Sequence, residues 1–382
     1  MQASEGSFNS RKMLAPNKPT RLQALIRGLP RSKVLRRLVG RPYLRVSTWA
    51  WNHLPSSARN CRMGWKYGAH LHRLIQLRST RWLATGTFFF RNRPELELLV
   101  RLLEQKENGS TLDLAILGCS KGAEVYTFLY VIRCVRPDLK VSLHAVDIEP
   151  DVLEFAERGV YSLKRHPPQQ GSSSDSVAPG DELAVRTFGD QKTWLFERMS
   201  PDEIEAMFEC EGEQARVKPR FREGVTWHLG SAGDPQLVES IGLQDIVVAN
   251  RFLCHMQPEE AETCLRSLVR LVKPGGYLFV SGVDLEVRTK VAKELGWMPV
   301  TELINEIHEG DPSLRQDWPM QYWGLEPFDQ QRNDWETRYS SVFQIGAHDT
   351  LPPELCTRRE DFAIMGTSKQ YQLRSARMKF SQ

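Results

Sequence analysis

The stretch LDLAILGCSKGAEVYTFLY, residues 112–130, decides the fold of this chain. It opens with a mainly apolar run, 112–117, which is too short for a long helix and is typical of a strand buried on both faces. A turn of sequence GCSKG follows at 118–122, and apolar residues at helical spacing continue from Val125. A strand, a glycine turn and a helix in this order bring the backbone close to a ligand at the N-terminus of the helix.

Gly118 and Gly122 do not identify that ligand by themselves. The dinucleotide fingerprint G-x-G-x-x-G is absent, so an ordinary tight turn explains this pair equally well. The second apolar run, 141–148, ends in Asp147, 25 residues after Gly122, and an acid at this place is typical of a residue that binds ribose hydroxyls. The alternative is a turn or cap aspartate, since Pro150 begins a helix. Together with the glycine turn, Asp147 favours a nucleoside-binding site.

The rest of the chain continues the alternation of strands and helices. We predict further strands at 225–229, 246–249, 277–281 and 339–345, the last one antiparallel, and a helix at 258–272. The segment 214–221 alternates apolar and basic residues, which is typical of a strand in a small antiparallel unit. The pattern predicts an α/β fold, a doubly wound Rossmann-like sheet with a small inserted antiparallel β-subdomain, whose ligand lies at the carboxyl ends of the strands.

The composition restricts the compartment and the kind of site. Apolar residues make up 41% of the chain, and no uninterrupted run of eighteen of them occurs, which argues against a membrane span. The seven cysteines are scattered and form no C-x-x-C pair, which argues against a disulfide framework and against a zinc site. We therefore expect a reducing, cytoplasmic location and no metal.

The N-terminal quarter of the chain is strongly basic. Residues 1–93 contain nineteen Lys and Arg and a single acid, Glu5, a net charge of +18, so the remainder carries −14 within a total of +4. Between Arg21 and Arg45 leucines and valines alternate with arginines, which predicts short basic amphipathic helices. This arm could be an organellar transit peptide, a site for an anionic membrane, nucleic acid or an acidic partner, or a solvated appendage packed on the acidic remainder.

Composition and periodicity together predict the domain boundaries. We expect residues 1–20 to be disordered, because they are polar and lack periodicity, and residues 21–85 to form the basic helical region. Residues 86–349 would form the main domain, in which residues 160–224 are an insert containing a Ser/Pro/Gly-rich disordered loop and the β-subdomain. Residues 350–382 would form a C-terminal tail.

Several short segments in this order carry a resemblance to a known family. They are TFFFR at 87–91, CSKGAEVY at 119–126, DI at 147–148, RGVY at 158–161 and LVKPGGYL at 271–278. The region 80–284 thereby resembles the CheR-type methyltransferases, which modify glutamates of chemotaxis receptors, within the class I S-adenosylmethionine (SAM)-dependent methyltransferases. The LVKPGGYL turn is the least specific of these segments, because many methyltransferases share it.

The resemblance implies SAM as the cofactor and O-methylation of a carboxylate on a protein as the reaction. It implies Arg91 as a residue that holds either an anionic acceptor or the carboxylate of the cofactor. The residues implied in cofactor binding are Thr87, Gly118, Gly122, Glu124, Asp147, Ile148, Ser231, Asn250 and Arg251. Glu124 would lie near the ammonium of the cofactor, although a surface helix acid explains it as well.

The chain departs from the family on the acceptor side. The R-N pair of the family is inverted as Asn250-Arg251, and the position of its tyrosine is taken by His255. A carboxylate acceptor needs no general base, whereas an alcohol or amine would need one, and a histidine could supply it. Two alternatives therefore stay open, namely a small-molecule acceptor and an inactive cofactor-binding or partner-binding module. The aromatic segment 317–328 is expected to be either a lid over the acceptor or packing for a loop.

Overall fold

The computed structural model describes residues 33–79, 81, 84–164 and 194–346, with the backbone alone at 33–41. The expected disordered segment 1–20, the Ser/Pro/Gly-rich loop and the tail 350–382 lie outside the described residues. The chain divides into two compact units, Met1–Leu74 and Ile75–Gln382. In the described part of the chain no helix is both long and apolar enough to cross a membrane.

The first unit is helical. Its described part contains α1 (Lys33–His53), α2 (Ser56–Arg59) and most of α3 (Arg62–Gln76). Within the segment 21–45, predicted to form short basic helices, the described residues from Lys33 onward lie in α1, a helix of 21 residues. The hydroxyl of Tyr67 on α3 donates to the carbonyl of Ser47 on α1 at 3.2 Å, which ties these two helices together.

The second unit is built on β-strands. The ten strands among the described residues are β1 (Thr111–Leu117), β2 (Lys140–Asp147), β3 (Val160–Ser162), β4 (Phe208–Glu211), β5 (Gln214–Val217), β6 (Val225–Leu229), β7 (Gln244–Val248), β8 (Val272–Phe279), β9 (Met298–Pro299) and β10 (Val342–Gln344). Seven of them form one sheet in the order β6-β2-β1-β7-β8-β10-β9. The pairs among β6, β2, β1, β7 and β8 are parallel, and β10 is antiparallel to β8.

The central strand β1 is buried on both faces, as its apolar run predicts. Leu114 and Ile116 belong to one core cluster, whereas Ala115 and Leu117 belong to the other. The strand order reverses beside β1, with β2 on one side and β7 on the other, and such a point opens a crevice at the carboxyl ends of the strands. The predicted doubly wound α/β fold is confirmed.

The small inserted antiparallel unit is also confirmed. Its strands pair in the order β3-β5-β4, and both pairings are antiparallel. Buried aromatic rings fill the space beside it, with Phe89, Tyr161, Phe196 and Phe208 in mutual contact. Two consecutive phenylalanines of the FFF segment, Phe89 and Phe90, are therefore core residues.

Helices cover the sheet and join its strands. The remaining helices of the described chain are α4 (Arg93–Leu103), α5 (Ala123–Val135), α6 (Pro150–Arg158), α7 (Pro201–Met207), α8 (Leu237–Ile241), α9 (Pro258–Leu268), α10 (Leu285–Glu294), α11 (Ile304–Glu309), α12 (Pro312–Asp317) and α13 (Trp335–Tyr339), with single 3₁₀ turns at Pro219–Phe221, Leu253–His255 and Val269–Leu271. Helix α5 starts directly after the glycine turn, and α6 starts directly after the tip of β2.

Three element boundaries differ from expectation. The helix expected at 258–272 ends at Leu268 and tightens into a 3₁₀ turn, so the lysine-proline-glycine segment lies inside β8. The strand expected at 214–221 ends at Val217, since Pro219 has no N–H for the ladder and starts a 3₁₀ turn. The closing strand expected at 339–345 is shorter, because a helix occupies Trp335–Tyr339 first.

Candidate cofactor and acceptor site

The glycine turn after β1 is held against the end of β2. Gly118 and Gly122 both have positive φ, +65° and +78°, a conformation that L side chains rarely adopt. A Cβ added to Gly118 would lie 2.8 Å from the ring of Phe252, so the first glycine is also required by a close approach. The amide of Cys119 donates to the carbonyl of Val146 at 3.1 Å, which links the turn to the neighbouring strand.

Asp147 lies against this turn. Its Oδ2 accepts from the amide of Ser120 at 2.7 Å, and its Oδ1 accepts from the amide of Glu149 at 3.1 Å. Each carboxylate oxygen has a second lone pair, which leaves capacity for the two hydroxyls of a ribose. The expected proximity of the turn and Asp147 is therefore found, while the ribose contact itself stays a prediction.

Two large apolar side chains stand exposed beside Asp147. Ile148 is 49% exposed and Leu229 is 63% exposed, and Leu229 pairs with Asp147 in the register of β2 and β6. Ser231, predicted to bind the cofactor, follows in an exposed loop, two residues after the end of β6. Apolar groups flanking a few polar ones are typical of a pocket for an aromatic base.

Asn250, at the end of β7, makes four hydrogen bonds within the protein. Its Nδ2 donates to Oε1 of Glu95 at 2.8 Å and to Oε1 of Glu124 at 2.9 Å. Its Oδ1 accepts from the amide and the hydroxyl of Ser281, at 3.0 and 2.8 Å. An amide side chain has two donors and two acceptor lone pairs, so these bonds use its full capacity. Asn250 thus positions Glu124, and its own contact with the cofactor stays a prediction.

Glu95 is a site residue that the sequence analysis did not identify. It is 4% exposed, and its Oε2 is buried without a hydrogen-bond partner. Burial, followed by the charge of Glu124, raises the pKa of Glu95 to about 8, so this carboxyl is neutral at pH 7. Glu124 also has a raised pKa, chiefly through burial. In the sequence Glu95 resembles any acid in the first turn of a helix, and its contact with Asn250 spans 155 residues.

Arg91 faces this pair of carboxyls. A small cavity here is lined by Phe88, Arg91, Asn92, Glu95, Leu96, Glu124, Thr127 and Phe128. Burial lowers the pKa of Arg91 to about 10, the charge of Arg251 lowers it further and that of Glu124 opposes the shift, so the guanidinium stays charged. One of its nitrogens, Nη2, donates to the carbonyl of Gly86 at 3.1 Å, and the adjacent Thr87 is buried.

His255 lies on the other side of Arg251. Its Nδ1 is 2.8 Å from the hydroxyl of Tyr322, which belongs to the aromatic segment 317–328 and is 4% exposed. Burial first, then the charges of Arg251, Arg81 and Arg91, lowers the pKa of His255 to about 4. The imidazole is therefore neutral at physiological pH. The aromatic segment thus reaches the site, a contact that the sequence alone did not determine.

Arg198 and Asp311 form an ion pair in this part of the site. Arg198 donates to Oδ1 of Asp311 at 2.8 Å, and its guanidinium stacks over Phe88 at 4.4 Å. The other carboxylate oxygen of Asp311 is buried without a hydrogen-bond partner. Neither residue was predicted, since an arginine before a helix cap and an aspartate before a proline carry no distinctive pattern. Across the described residues, no group of three or more His, Cys, Asp or Glu is placed to hold a metal ion.

Comparison with known proteins agrees with this geometry. Residues 85–170 match the family described as "CheR methyltransferase, SAM binding domain", and residues 202–280 match the family described as "Methyltransferase domain". The first match contains the glycine turn, Glu124 and Asp147. The chain thus contains a segment that matches a CheR-type SAM-binding domain.

Curated relatives of the CheR-type domain are distant. The chain is 24% identical over 232 residues to the probable biofilm formation methyltransferase WspC of Pseudomonas putida, which covers 59% of this chain and 47% of that protein. It is 27% identical over 196 residues to an uncharacterized 104.1 kDa protein of Rhodobacter capsulatus, covering 50% of this chain and 17% of that protein. The chain therefore spans less than half the length of these relatives.

Solved structures include the magnesium protoporphyrin IX methyltransferase of Synechocystis with bound SAM, at 13% identity. The overlap covers 54% of this chain and 69% of that chain, with a TM-score of 0.28. A TM-score this low does not support a fold assignment, so the fold of the CheR-type domain is assigned from its own strand order. The cofactor of the domain is SAM, and the residues that bind it stay predictions.

Proposed function

We propose that this chain transfers the methyl group of SAM to a carboxylate oxygen on a protein. The proposal rests on one arrangement. Arginines and a neutral imidazole lie on the acceptor side, next to a glycine turn and an aspartate of the kind that bind a nucleoside. In the reaction an acceptor oxygen forms the new C–O bond while the C–S bond of the sulfonium breaks and its electron pair returns to sulfur. No proton is transferred, and the reaction needs positioning more than acid–base catalysis.

The residues of the site fit SAM at each of its parts. Asp147 has lone pairs to accept from the ribose, and Ile148 and Leu229 offer an apolar surface for the adenine. Glu124 is the acid that acts most strongly on the pKa of Arg91, and both residues line the same cavity. A carboxyl and a guanidinium in one cavity suit the ammonium and the carboxylate at the amino-acid end of the cofactor.

The acceptor side supports a carboxylate rather than an alcohol or amine. A base with a pKa of about 4, which is that of His255, removes a proton poorly from a neutral hydroxyl or an ammonium. A carboxylate is ionised at neutral pH and needs no base. The charges of Arg251 and Arg81 act on His255 at this place, and arginine is the side chain best suited to bind a carboxylate.

A protein acceptor is supported by the inserted sheet. In the resemblance to CheR-type enzymes, the segment that forms β4 and β5 corresponds to the receptor-contacting β-subdomain. Its aromatic core includes Phe89, within the segment that ends at Arg91. A protein surface bound at this sheet would therefore lie close to the acceptor side of the site.

The proposal is tested by incubating the purified chain with methyl-labelled SAM and a lysate of its source cell. We expect label in protein that is released as methanol by mild alkali, since methyl esters hydrolyse there while N-methyl groups do not. Asp147→Ala should give no label. Alkali-stable label in protein would exclude the carboxylate, and label only in small molecules would establish the small-molecule alternative. Binding of S-adenosylhomocysteine without any labelling would establish an inactive module.

A further inference from the structure

Arg251 is the arginine of the acceptor side that has no acidic partner. Arg81 pairs with Asp284 at 2.7 Å, and Arg198 pairs with Asp311 at 2.8 Å. Among the described residues Arg251 forms no ion pair, and its Nε and Nη1 are buried without hydrogen-bond partners. Buried donors of a charged group are normally satisfied. Two such atoms on one guanidinium therefore point to a ligand.

The position of Arg251 is built into the backbone. Its φ is +69°, which is rare for a residue with a side chain. A Cβ added to Gly282 would lie 2.7 Å from the Cα of Arg251 and 2.8 Å from its Cδ. The amide of Arg251 donates to the carbonyl of Ser281 at 3.0 Å. The absence of a side chain at Gly282 thus makes room for the arginine where the strand β7 ends.

The charges around Arg251 show which part of the site it serves. It is the largest charge acting on buried His255, and it is the first of the groups that hold the pKa of Asp311 below its usual range against the effect of burial. Its effect on Glu124 ranks behind that of Arg91. Of the two arginines, Arg91 therefore has the larger effect on the pKa of Glu124. Arg251 has the larger effect on His255 and Asp311.

A carboxylate is the ligand that suits this arrangement. A planar guanidinium binds both oxygens of a carboxylate through Nη2 together with either Nε or Nη1, and Nε and Nη1 are the two nitrogens of Arg251 that lack partners. A neutral His255 adds no competing charge and no proton. The zwitterionic end of the cofactor is already matched by Arg91 and Glu124, which leaves Arg251 for a second carboxylate.

We propose that Arg251 binds the carboxylate that receives the methyl group, while Arg91 binds the carboxylate of the cofactor. This division of roles rests on the proposed function. It gives each residue of the inverted Asn250-Arg251 pair a role. Asn250 holds Glu124 in place, and Arg251 anchors the acceptor. A bound acceptor oxygen would be fixed in orientation without any change in the cofactor contacts.

The test separates cofactor affinity from acceptor methylation in three full-length variants. Arg251→Met should bind S-adenosylhomocysteine within about threefold of wild type by calorimetry, since the cofactor contacts are intact. The rate of alkali-labile protein methylation should fall about 100-fold or more, because a bidentate charged contact is lost. Arg251→Lys should recover part of the rate, because the lysine ammonium restores the charge as a point charge. Arg91→Met should lose affinity for S-adenosylhomocysteine. Thermal unfolding at the wild-type temperature shows that each variant is folded.

Three results would overturn the assignment. They are a loss of S-adenosylhomocysteine affinity in Arg251→Met equal to that in Arg91→Met, wild-type methylation by Arg251→Met, and a rate of Arg251→Lys below that of Arg251→Met. If wild type labels no protein, the proposed function fails, and Arg251 is then judged with glutarate as the probe. Glutarate should bind wild type loaded with S-adenosylhomocysteine and not Arg251→Met. Equal binding to both, or preference of wild type for inorganic phosphate, would refute a carboxylate site.

Discussion

The two ends of the site differ in how far the protein satisfies its own polar groups. At the cofactor end, Asp147 and Asn250 together accept or donate six hydrogen bonds, all to other protein atoms. At the acceptor end, Arg251 and Asp311 both keep buried atoms without partners. Satisfied groups hold a geometry before the ligand arrives, whereas unsatisfied ones are costly until a ligand comes. The difference indicates a preformed cofactor end and an acceptor end that its ligand completes.

The largest effect is expected from Asp147→Ala. The change removes the acceptor of the Ser120 amide in the glycine turn, the acceptor of the Glu149 amide and the proposed ribose acceptors. Hydrogen bonds to a charged group contribute about 1.5–3 kcal/mol each. We expect the affinity for S-adenosylhomocysteine to fall at least about 100-fold in calorimetry. Asp151→Ala, an exposed acid four residues downstream, is the matched control and should bind normally. An unchanged dissociation constant in Asp147→Ala would refute the ribose assignment.

The glycine turn gives the next effect. Gly118→Ala adds a Cβ 2.8 Å from the ring of Phe252 to the strain of a positive φ, whereas Gly109 has φ +72° and nothing within 4 Å of such a Cβ. Gly109→Ala therefore isolates the strain, about 1–2 kcal/mol in free energy of unfolding. Gly118→Ala should cost about 1–3 kcal/mol more through overpacking and weaken S-adenosylhomocysteine binding about tenfold. Equal losses of stability and unchanged binding in both variants would show that the turn is not held tightly.

Tyr322→Phe probes the acceptor end with a smaller change. It removes the hydroxyl at 2.8 Å from Nδ1 of His255 but keeps the packing of the ring. We expect methylation to slow about threefold to tenfold, because His255 loses its orientation, while the affinity for S-adenosylhomocysteine stays unchanged. Tyr277→Phe, whose hydroxyl contacts Gln105 at 3.4 Å, is the control. A loss of cofactor affinity in Tyr322→Phe would mean that the two ends are not separate.

Glu95→Gln tests the boundary between the two ends through pH. The folded carboxyl has a pKa of about 8, against 4.5 for an unperturbed glutamate, so between these pH values unfolding releases a proton. Wild type should lose stability relative to Glu95→Gln as pH rises, by up to tenfold in the unfolding equilibrium constant per pH unit. Urea unfolding at pH 5.5 and 7.5 measures the change. A difference between wild type and Glu95→Gln that stays constant between these pH values would mean that Glu95 is ionised in the fold.

The fold could be predicted from the sequence because its signals are local. Six of the seven strands of the central sheet contain a short apolar run, and β1 is buried on both faces as its run predicts. The seventh, β9, has only two residues and was not predicted. The boundaries were less predictable where two local preferences compete. At Val272 the helix α9 has already ended and the Lys-Pro-Gly-Gly segment lies inside β8. There it forms a register shift in the pairing with β7, because Pro274 has no N–H for the ladder and Gly275 has a positive φ.

The site was predictable only where its residues lie on consecutive elements of the chain. The proximity of Gly122 and Asp147 follows from parallel pairing of two consecutive strands. The contacts of Asn250 with Glu95, of His255 with Tyr322 and of Arg198 with Asp311 span 155, 67 and 113 residues. No periodicity encodes such contacts, because they depend on how loops from distant elements meet. Glu95 and Tyr322 were therefore recognisable only in three dimensions.

The neutral state of His255 has a physiological consequence. Between pH 5.5 and 7 the imidazole, with its pKa of about 4, does not change charge, and Glu95 stays protonated over the same interval. Under the proposed reaction, a fall in pH over this interval would thus leave the charge of these two groups unchanged.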